Sequence, residues 1–158
     1  MNLYHGSNIK IESINFDKCK PYKDFGKGFY LTRIEEQAVQ MARRTAAIYG
    51  GEPVVSSFEF DETKAFDDAN LSIKRFEEPN EEWALFVMNN RSRNVQHPTH
   101  AYDLVIGPVA DDTIATLFRN FDDGIIDMPM LINGLRYKKI SSQYFFHSQK
   151  AVAYLKTL

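Results

Sequence analysis

Residues 24–32 read DFGKGFYLT and pass from a polar turn into an apolar strand. Gly26 and Gly28 are typical of a sharp turn, because glycine adopts backbone conformations that other residues avoid. Residues 28–32 are rich in aromatic and β-branched side chains and predict a short strand. A turn needs glycine, but it does not need an aromatic pair directly behind it. We therefore expect the turn to hold Tyr30 in a defined place.

The composition fits one soluble domain spanning residues 1–158, with 44% hydrophobic and 25% charged residues. The 19 Lys and Arg against 21 Asp and Glu give a net charge of −2, which argues against binding nucleic acid by bulk electrostatics. Cys19 is the only cysteine, so no internal disulfide forms and a reducing compartment is expected. Because signal-peptide and membrane-spanning patterns are missing, the sequence predicts a cytoplasmic protein without a membrane partner.

Strands and helices alternate irregularly, which predicts an α+β fold rather than a regular doubly wound sheet. The predicted strands are residues 2–7, 28–32, 53–62, 102–108 and 141–148. Helices are predicted at 80–91, 112–121 and 149–158, with N-caps at Asn80, at Asp111 or Asp112, and at Ser148. We expect residues 8–24 to form a long loop. Residues 125–137 stay undecided, because Pro129 interrupts any helix there.

A further helix is predicted between Thr32 and the Gly50-Gly51 pair. Thr32 and Glu35 have the spacing of a capping box, in which the hydroxyl and the carboxylate satisfy free amide groups at the helix start. One side of this helix is apolar and is expected to pack in the core. Its members are Ile34, Ala38, Met41, Ala42, Thr45, Ile48 and Tyr49.

Three predicted strands carry polar side chains that a core does not need, namely His5, Tyr30 and Gln143. Each has an ordinary explanation when taken alone. Their order and the segments around them, LYHGS, GKGFYLT and SSQYFF, resemble the ADP-ribosyltransferase superfamily. The chain is most similar to the bacterial branch of uncharacterised domains grouped with the diphtheria-toxin-like and poly-ADP-ribose-polymerase-like enzymes.

The resemblance implies an ADP-ribosyltransferase-like split antiparallel β-sandwich with flanking helices and an NAD site between its halves. In this interpretation His5 bonds a ribose hydroxyl on the adenosine side of NAD, while Gly6 and Ser7 hold the nicotinamide carboxamide. Tyr30 supplies a stacking face for the nicotinamide ring, and Gly28 and Phe29 belong to the same site. His5, Tyr30 and Gln143 are the implied catalytic residues, and no metal is involved.

Two positions depart from the pattern of related enzymes. A second aromatic residue often follows the motif tyrosine by eleven positions, and here that position is Met41, which could pack on the nicotinamide ring but fits plain core better. Gln143 stands where many relatives have glutamate, so it can hydrogen-bond ribose but cannot oppose positive charge. We expect that Gln143→Glu would preserve or raise activity, because it restores that charge.

The implied function is an NAD-dependent mono-ADP-ribosyltransferase, acting as an intracellular bacterial toxin in a toxin–antitoxin or phage-defence pair. NAD would be the co-substrate, an unidentified protein or nucleic acid the acceptor, and an antitoxin protein a further partner. A degenerate module that binds NAD or a partner without turnover is one alternative. A ribonuclease-type toxin that uses His5, His97 or His147 as acid and base is another. His97 and His100 lack the companions of a zinc site.

Overall fold

Seven strands form one sheet among residues 1–136, 138 and 141–158, which the computed structural model describes. The strands are β1 (Asn2–Ser7), β2 (Phe29–Thr32), β3 (Val54–Phe60), β4 (Ile73–Arg75), β5 (Leu104–Pro108), β6 (Ser142–Phe146) and β7 (Leu155–Thr157). The helices are α1 (Glu35–Tyr49), α2 (Glu62–Asp67), α3 (Glu81–Arg91), α4 (Asp112–Asp122), α5 (Met128–Leu135) and α6 (Gln149–Val152). The strand order is β4-β5-β6-β2-β1-β3-β7. The α+β class is therefore confirmed.

The expectation of two separate antiparallel sheets needs correction. β6 pairs with both β2 and β5, so the two halves of the molecule share one continuous sheet. The pair β4–β5 is parallel, whereas every other pair in the sheet is antiparallel. The nearest equivalent of a split is a weakly paired boundary inside this sheet.

Several local predictions hold, and others are wrong for identifiable reasons. The side chains of Asn80, Asp111 and Ser148 cap α3, α4 and α6 as predicted. Pro129 lies in the first turn of α5, where its missing N–H has no helical partner to lose. Residues 149–158 do not form one helix, because α6 ends at Val152 and β7 then pairs with β3. The sequence analysis missed α2 and β4, and Tyr137, at the end of the undecided segment 125–137, lies outside the described residues.

Side chains that alternate along the strands divide the core between the two faces of the sheet. The core on one face includes Leu3, Phe29, Leu31, Phe58 and Phe146. The core on the other face lies under α3, α4 and α5 and includes Phe25, Trp83, Val105, Leu131 and Phe145. Adjacent residues of β2 therefore serve different cores, which places the side chain of Tyr30 on the face opposite to that of Phe29.

The boundary between β1 and β2, called the seam below, is almost unpaired. Tyr4 and Thr32 form the one residue pair between these two fully described strands. Met1 and Phe60 exchange both main-chain hydrogen bonds, of 2.8 and 2.7 Å, in register with the β1–β3 ladder. Because such bonds alternate along an antiparallel pair, odd residues of β1 bond β3, and the peptide groups of Tyr4 and Gly6 face β2. The peptide groups of Gly6 thus face the opened part of the seam.

Helix α1 covers β1 by an unusually close approach at Gly6. A Cβ atom built on Gly6 would lie 1.9 Å from the carbonyl oxygen of Ala38 and 2.7 Å from the nitrogen of Ala42. Ala38 and Ala42 are the buried residues of this helix. The predicted apolar side is therefore largely wrong, since the helix axis lies too close to the sheet to admit larger side chains. Ile34, Met41, Ile48 and Tyr49 remain exposed.

The predicted capping box is also wrong. The N-cap of α1 is Ile34, which offers no side-chain cap. Thr32 belongs to β2, and its hydroxyl accepts a bond from the Ile34 N–H and donates to Gln37 Oε1 at 2.8 Å. The hydroxyl therefore joins the end of β2 to the first turns of α1, and the predicted partner Glu35 is not needed.

We predict that Gly6→Ala destabilises the protein by about 3 kcal/mol or more, because the new methyl group meets main-chain atoms that cannot yield without moving α1. Gly134→Ala is the matched control, since its Cβ would meet only the methyl groups of Leu117, at 3.0 Å. Denaturant unfolding of both variants measures the difference. Equal losses of stability in Gly6→Ala and Gly134→Ala would show that the packing of α1 against β1 does not require glycine at position 6.

Candidate functional site

The turn at residues 24–28 is held by the side chain of Tyr30. The Tyr30 hydroxyl donates to the carbonyl of Gly26 at 2.7 Å and accepts the Phe25 N–H at 3.0 Å. Gly26 has φ +103°, which only glycine adopts without strain. A Cβ on Gly28 would come within 2.3 Å of the Phe145 ring. The two glycines and the aromatic residue behind them thus form one interlocked unit.

Two histidines fix the outer side of the same turn. His100 accepts the Tyr102 N–H at Nδ1, and its Nε2 donates to the Phe25 carbonyl at 2.7 Å. Burial lowers the pKa of His100, which keeps the ring in the neutral form that these two bonds need. His147 Nδ1 lies 2.9 Å from the carbonyl of Lys27 and bonds it.

A buried carboxylate that the sequence analysis missed fixes the start of the turn. Asp24 is 8% exposed, and its Oδ1 accepts a bond of 2.8 Å from Arg91 Nε. Its Oδ2 accepts the Ala110 N–H at 3.1 Å and the side-chain amide of Gln143 at 2.8 Å. The partners of Asp24 lie 67 to 119 residues away in the chain, so no local pattern could reveal this cluster.

Gln143 lies next to the seam on the strand beyond β2. Its register partner in β2 is Thr32, which in turn pairs with Tyr4 of β1. The Gln143 amide nitrogen faces Asp24 and, at 3.4 Å, the carbonyl of Pro108. Two acceptors on that side assign the nitrogen to it, because an amide oxygen would repel both.

His5 bridges the seam. Its Nδ1 lies 2.8 Å from the Tyr30 carbonyl, which can only accept, so Nδ1 carries the proton and Nε2 is left as an acceptor. The ring packs on Phe29 with the centroids 4.5 Å apart. Burial lowers the pKa of His5, more than the bond to the Tyr30 carbonyl raises it. A side chain thus makes a contact where two strands would otherwise exchange main-chain bonds.

The strip of β2 that lies between α1 and β6, on the face of the sheet that carries α1, is called the trough below. Tyr30, Thr32 and Gln143 share this face, because Thr32 pairs with Gln143 and Tyr30 pairs with Phe145. The side-chain amide of Gln37 in α1 donates a hydrogen bond of 2.6 Å to the Ser141 hydroxyl. This side of α1 therefore faces β2 and the start of β6. Ile34, Met41 and Ile48 lie within about 60° of Gln37 around the helix and wall the trough.

The structure places the predicted site residues on neighbouring strands and on α1, but their side chains lie on two opposite faces of the sheet. Tyr30, Gln143, Met41 and the α1-facing side of Gly6 belong to the trough. His5, Ser7 and Phe29 point to the opposite face, since they occupy the alternate positions of β1 and β2. By register, His5 and Gln143 lie about two strand spacings apart, roughly 10 Å. This span is shorter than an extended dinucleotide.

The helical position of Met41 predicted that its side chain packs in the core, and this prediction is wrong. Met41 is 50% exposed on the wall of the trough. The hydroxyl of Tyr30 is committed to the turn, so only the exposed part of its ring can meet a ligand. Burial raises the pKa of Tyr30 well above its usual range, which excludes an ionised phenolate.

A pocket of about 600 Å³ opens at the end of the trough beside Gln143. Charged side chains of both signs line it, namely Glu77, Glu78, Arg136 and Lys138. Its remaining walls are Ile34, Pro79, Pro108, Ser141 and Ser142.

The histidines named for ribonuclease chemistry do not form a pair within the described part of the chain. His5, His97 and His147 each bond a different main-chain carbonyl, those of Tyr30, Ser92 and Lys27. Acid–base cleavage needs two groups on one phosphodiester, and no ring contact joins any two of these three histidines among the described residues. Residues 1–136, 138 and 141–158 also contain no group of three or more side chains suited to hold a metal.

The family described as "Protein of unknown function (DUF3990)" matches residues 1–157, and the chain belongs to this family. No curated protein and no solved structure matches the chain. None of the helices in the described residues is long and apolar enough to cross a membrane.

The lowered pKa values of His5 and His100 predict that stability falls as the pH drops below about 6.5, the pKa of histidine in an unfolded chain. In that range the two histidines bind protons in the unfolded chain more readily than in the folded protein, so a lower pH favours unfolding. Denaturant unfolding from pH 7.5 to 5 measures the slope, and His100→Gln should reduce it. A flat profile over this range would contradict the neutral buried state of both rings.

Proposed function

We propose that this protein is an NAD-dependent mono-ADP-ribosyltransferase whose reaction takes place where the trough meets the seam. One observation carries the proposal above the others. The sheet is left unpaired beside Gly6 and Tyr30 and is bridged there by the side chain of His5, so two of the motif-bearing strands leave main-chain groups free at this boundary, and Gln143 lies on the neighbouring strand. Main-chain N–H and C=O groups are normally hydrogen-bonded, so the unpaired groups at this boundary would be suited to bind a polar ligand.

Gly6 suits the nicotinamide carboxamide. Its peptide N–H and C=O face the seam, and this donor and acceptor match the acceptor and donor of a carboxamide. The Cβ position of Gly6 is filled by α1, so the peptide cannot rotate away from the seam. Ser7, the next residue, lies at the same end of β1 and would assist.

His5 suits a ribose hydroxyl. Its bond to the Tyr30 carbonyl leaves Nε2 as an acceptor, so the neutral ring can accept a hydrogen bond from a hydroxyl group without adding positive charge. That hydroxyl belongs to the ribose on the adenosine side, so the contact would hold this half of NAD in place while the bond between nicotinamide and its own ribose breaks.

Tyr30 and Met41 would contact the nicotinamide ring from the floor and the wall of the trough. Tyr30 can offer only its ring, because its hydroxyl holds the turn. Met41 takes the place of a second aromatic residue, and a thioether packs favourably against a ring.

Gln143 would bond the ribose next to the bond that breaks. Its oxygen can accept a hydrogen bond from a ribose hydroxyl. The neutral amide opposes the developing positive charge only through its dipole. We therefore propose transfer of single ADP-ribose units to a protein or nucleic-acid acceptor, or slow hydrolysis, with no metal. The proposed setting is the cytoplasm of a bacterium, where the protein acts as a toxin paired with an antitoxin protein.

A second candidate, an NAD-binding module without turnover, is favoured by the same amide. The amide nitrogen of Gln143 is already hydrogen-bonded to Asp24. Position 143 therefore carries no negative charge where related enzymes have glutamate. NAD binding without release of nicotinamide distinguishes this candidate from the enzyme.

Incubation with NAD and cell extract tests the enzyme directly by the release of nicotinamide. We predict that Gln143→Ala lowers kcat by about 10²-fold, the size typical of removing one group aimed at developing charge, and changes KM for NAD much less. Gln149→Ala is the matched control, because Gln149 is exposed on α6. Equal kcat values for the two variants would remove Gln143 from the reaction.

We also predict that Met41→Ala weakens NAD binding by about two- to tenfold, as expected for the loss of one thioether–ring contact. Its effect on stability should be small, because Met41 is 50% exposed. Met130→Ala is the control, since Met130 is 54% exposed on α5. Titration calorimetry with NAD measures both affinities, and unchanged binding by Met41→Ala would place the ligand elsewhere.

A further inference from the structure

We infer that Asp24 is a positioning residue, which holds the Gln143 amide by its nitrogen so that the amide oxygen is presented to the trough. The inference rests on the proposed function and adds to it the residue that orients the group nearest to the reaction. It also explains why position 143 carries an amide in this chain.

Asp24 is saturated by fixed donors. Its carboxylate receives two bonds from Arg91, one from the Ala110 N–H and one from Gln143. Four bonds use the full acceptor capacity of a carboxylate. The donors come from α3, from the segment after β5 and from β6, so the carboxylate cannot turn without breaking contacts to three parts of the fold.

This environment allows one orientation of Gln143. A flipped amide would place its oxygen 2.8 Å from Asp24 Oδ2 and 3.4 Å from the Pro108 carbonyl, where both neighbours are acceptors. The observed orientation instead gives a charge-assisted bond to the carboxylate. The oxygen is thereby turned away from Asp24, and no described residue donates a hydrogen bond to it.

The same contact changes the expectation for glutamate at this position. A Gln143→Glu side chain would bring a second carboxylate against Asp24, and two carboxylates at hydrogen-bond distance cannot both stay ionised. Restoring the charge of related enzymes at position 143 alone would therefore disrupt the site rather than improve it. Glutamate becomes acceptable only when position 24 offers a donor.

The exchange of the two groups tests the contact without any ligand. The variants are Gln143→Glu, Asp24→Asn and the double variant with both changes, which keeps one amide, one carboxylate and the net charge of the cluster. Denaturant unfolding at pH 7 should show that the double variant loses less stability than the two single losses added together. The loss in Gln143→Glu, relative to wild type, should shrink as the pH falls toward 5, because the carboxylate pair takes up a proton.

Nicotinamide release from NAD tests the positioning. Asp24→Asn should lower kcat at least about tenfold with KM for NAD nearly unchanged, and the double variant should regain part of that loss. A merely structural role would lower the fraction of folded protein and leave the kcat of the folded part unchanged.

The outcomes separate the two proposals. Additive stability losses, or a Gln143→Glu variant as stable as wild type at pH 7, would overturn the Asp24–Gln143 contact whatever the activity. Coupled stability with an unchanged kcat in Asp24→Asn would overturn the positioning role. If wild type releases no nicotinamide, the proposed enzyme fails and the positioning of a reacting group fails with it, while the unfolding data still decide the contact.

Discussion

The ion pair between Asp24 and Arg91 is the interaction on which the rest of the site depends. Asp24 starts the turn that leads into β2, and Arg91 ends α3, so their contact ties the long loop after β1 to the helices of the second core. Burying two charges is expensive unless each is fully hydrogen-bonded, and here the Ala110 N–H and the Gln143 amide complete the set. The pair thus gives the turn one position rather than a range.

From that position the remaining contacts follow. In the turn, the Tyr30 hydroxyl bonds the Gly26 carbonyl and the Phe25 N–H, and His100 bonds the Phe25 carbonyl. These bonds fix the direction in which the chain enters β2. β2 then pairs fully with β6 and hardly at all with β1. A loop anchored to the α3 side holds β2 away from β1, which leaves the seam open beside Gly6. The opening is therefore maintained by contacts made elsewhere in the fold.

The sequence predicts the parts of this arrangement that depend on local chemistry. Gly26 needs a positive φ, Asn80, Asp111 and Ser148 cap their helices, and alternating apolar residues mark most of the strands. It does not predict what depends on distance between segments. The helical spacing of Met41 matched a buried side, but the approach of α1 at Gly6 leaves room for alanine only. Asp24 meets Gln143 across 119 residues, and a single sequence carries no sign of that meeting.

The contact between Asp24 and Gln143 also explains how a neutral residue can occupy position 143, the third position of the motif. A glutamate there would need a donor behind it, whereas this chain places the Asp24 carboxylate behind position 143, where it accepts a hydrogen bond from the Gln143 amide nitrogen. The negative charge has moved from the strand to the turn, one hydrogen bond further from the ribose that we propose as the ligand, and Arg91 offsets part of it. Coulomb energy falls with distance and with a nearby opposite charge, so such a site would stabilise an oxocarbenium ion less than a glutamate does. For the enzyme that we propose, this balance of charges would favour slow transfer of single ADP-ribose units.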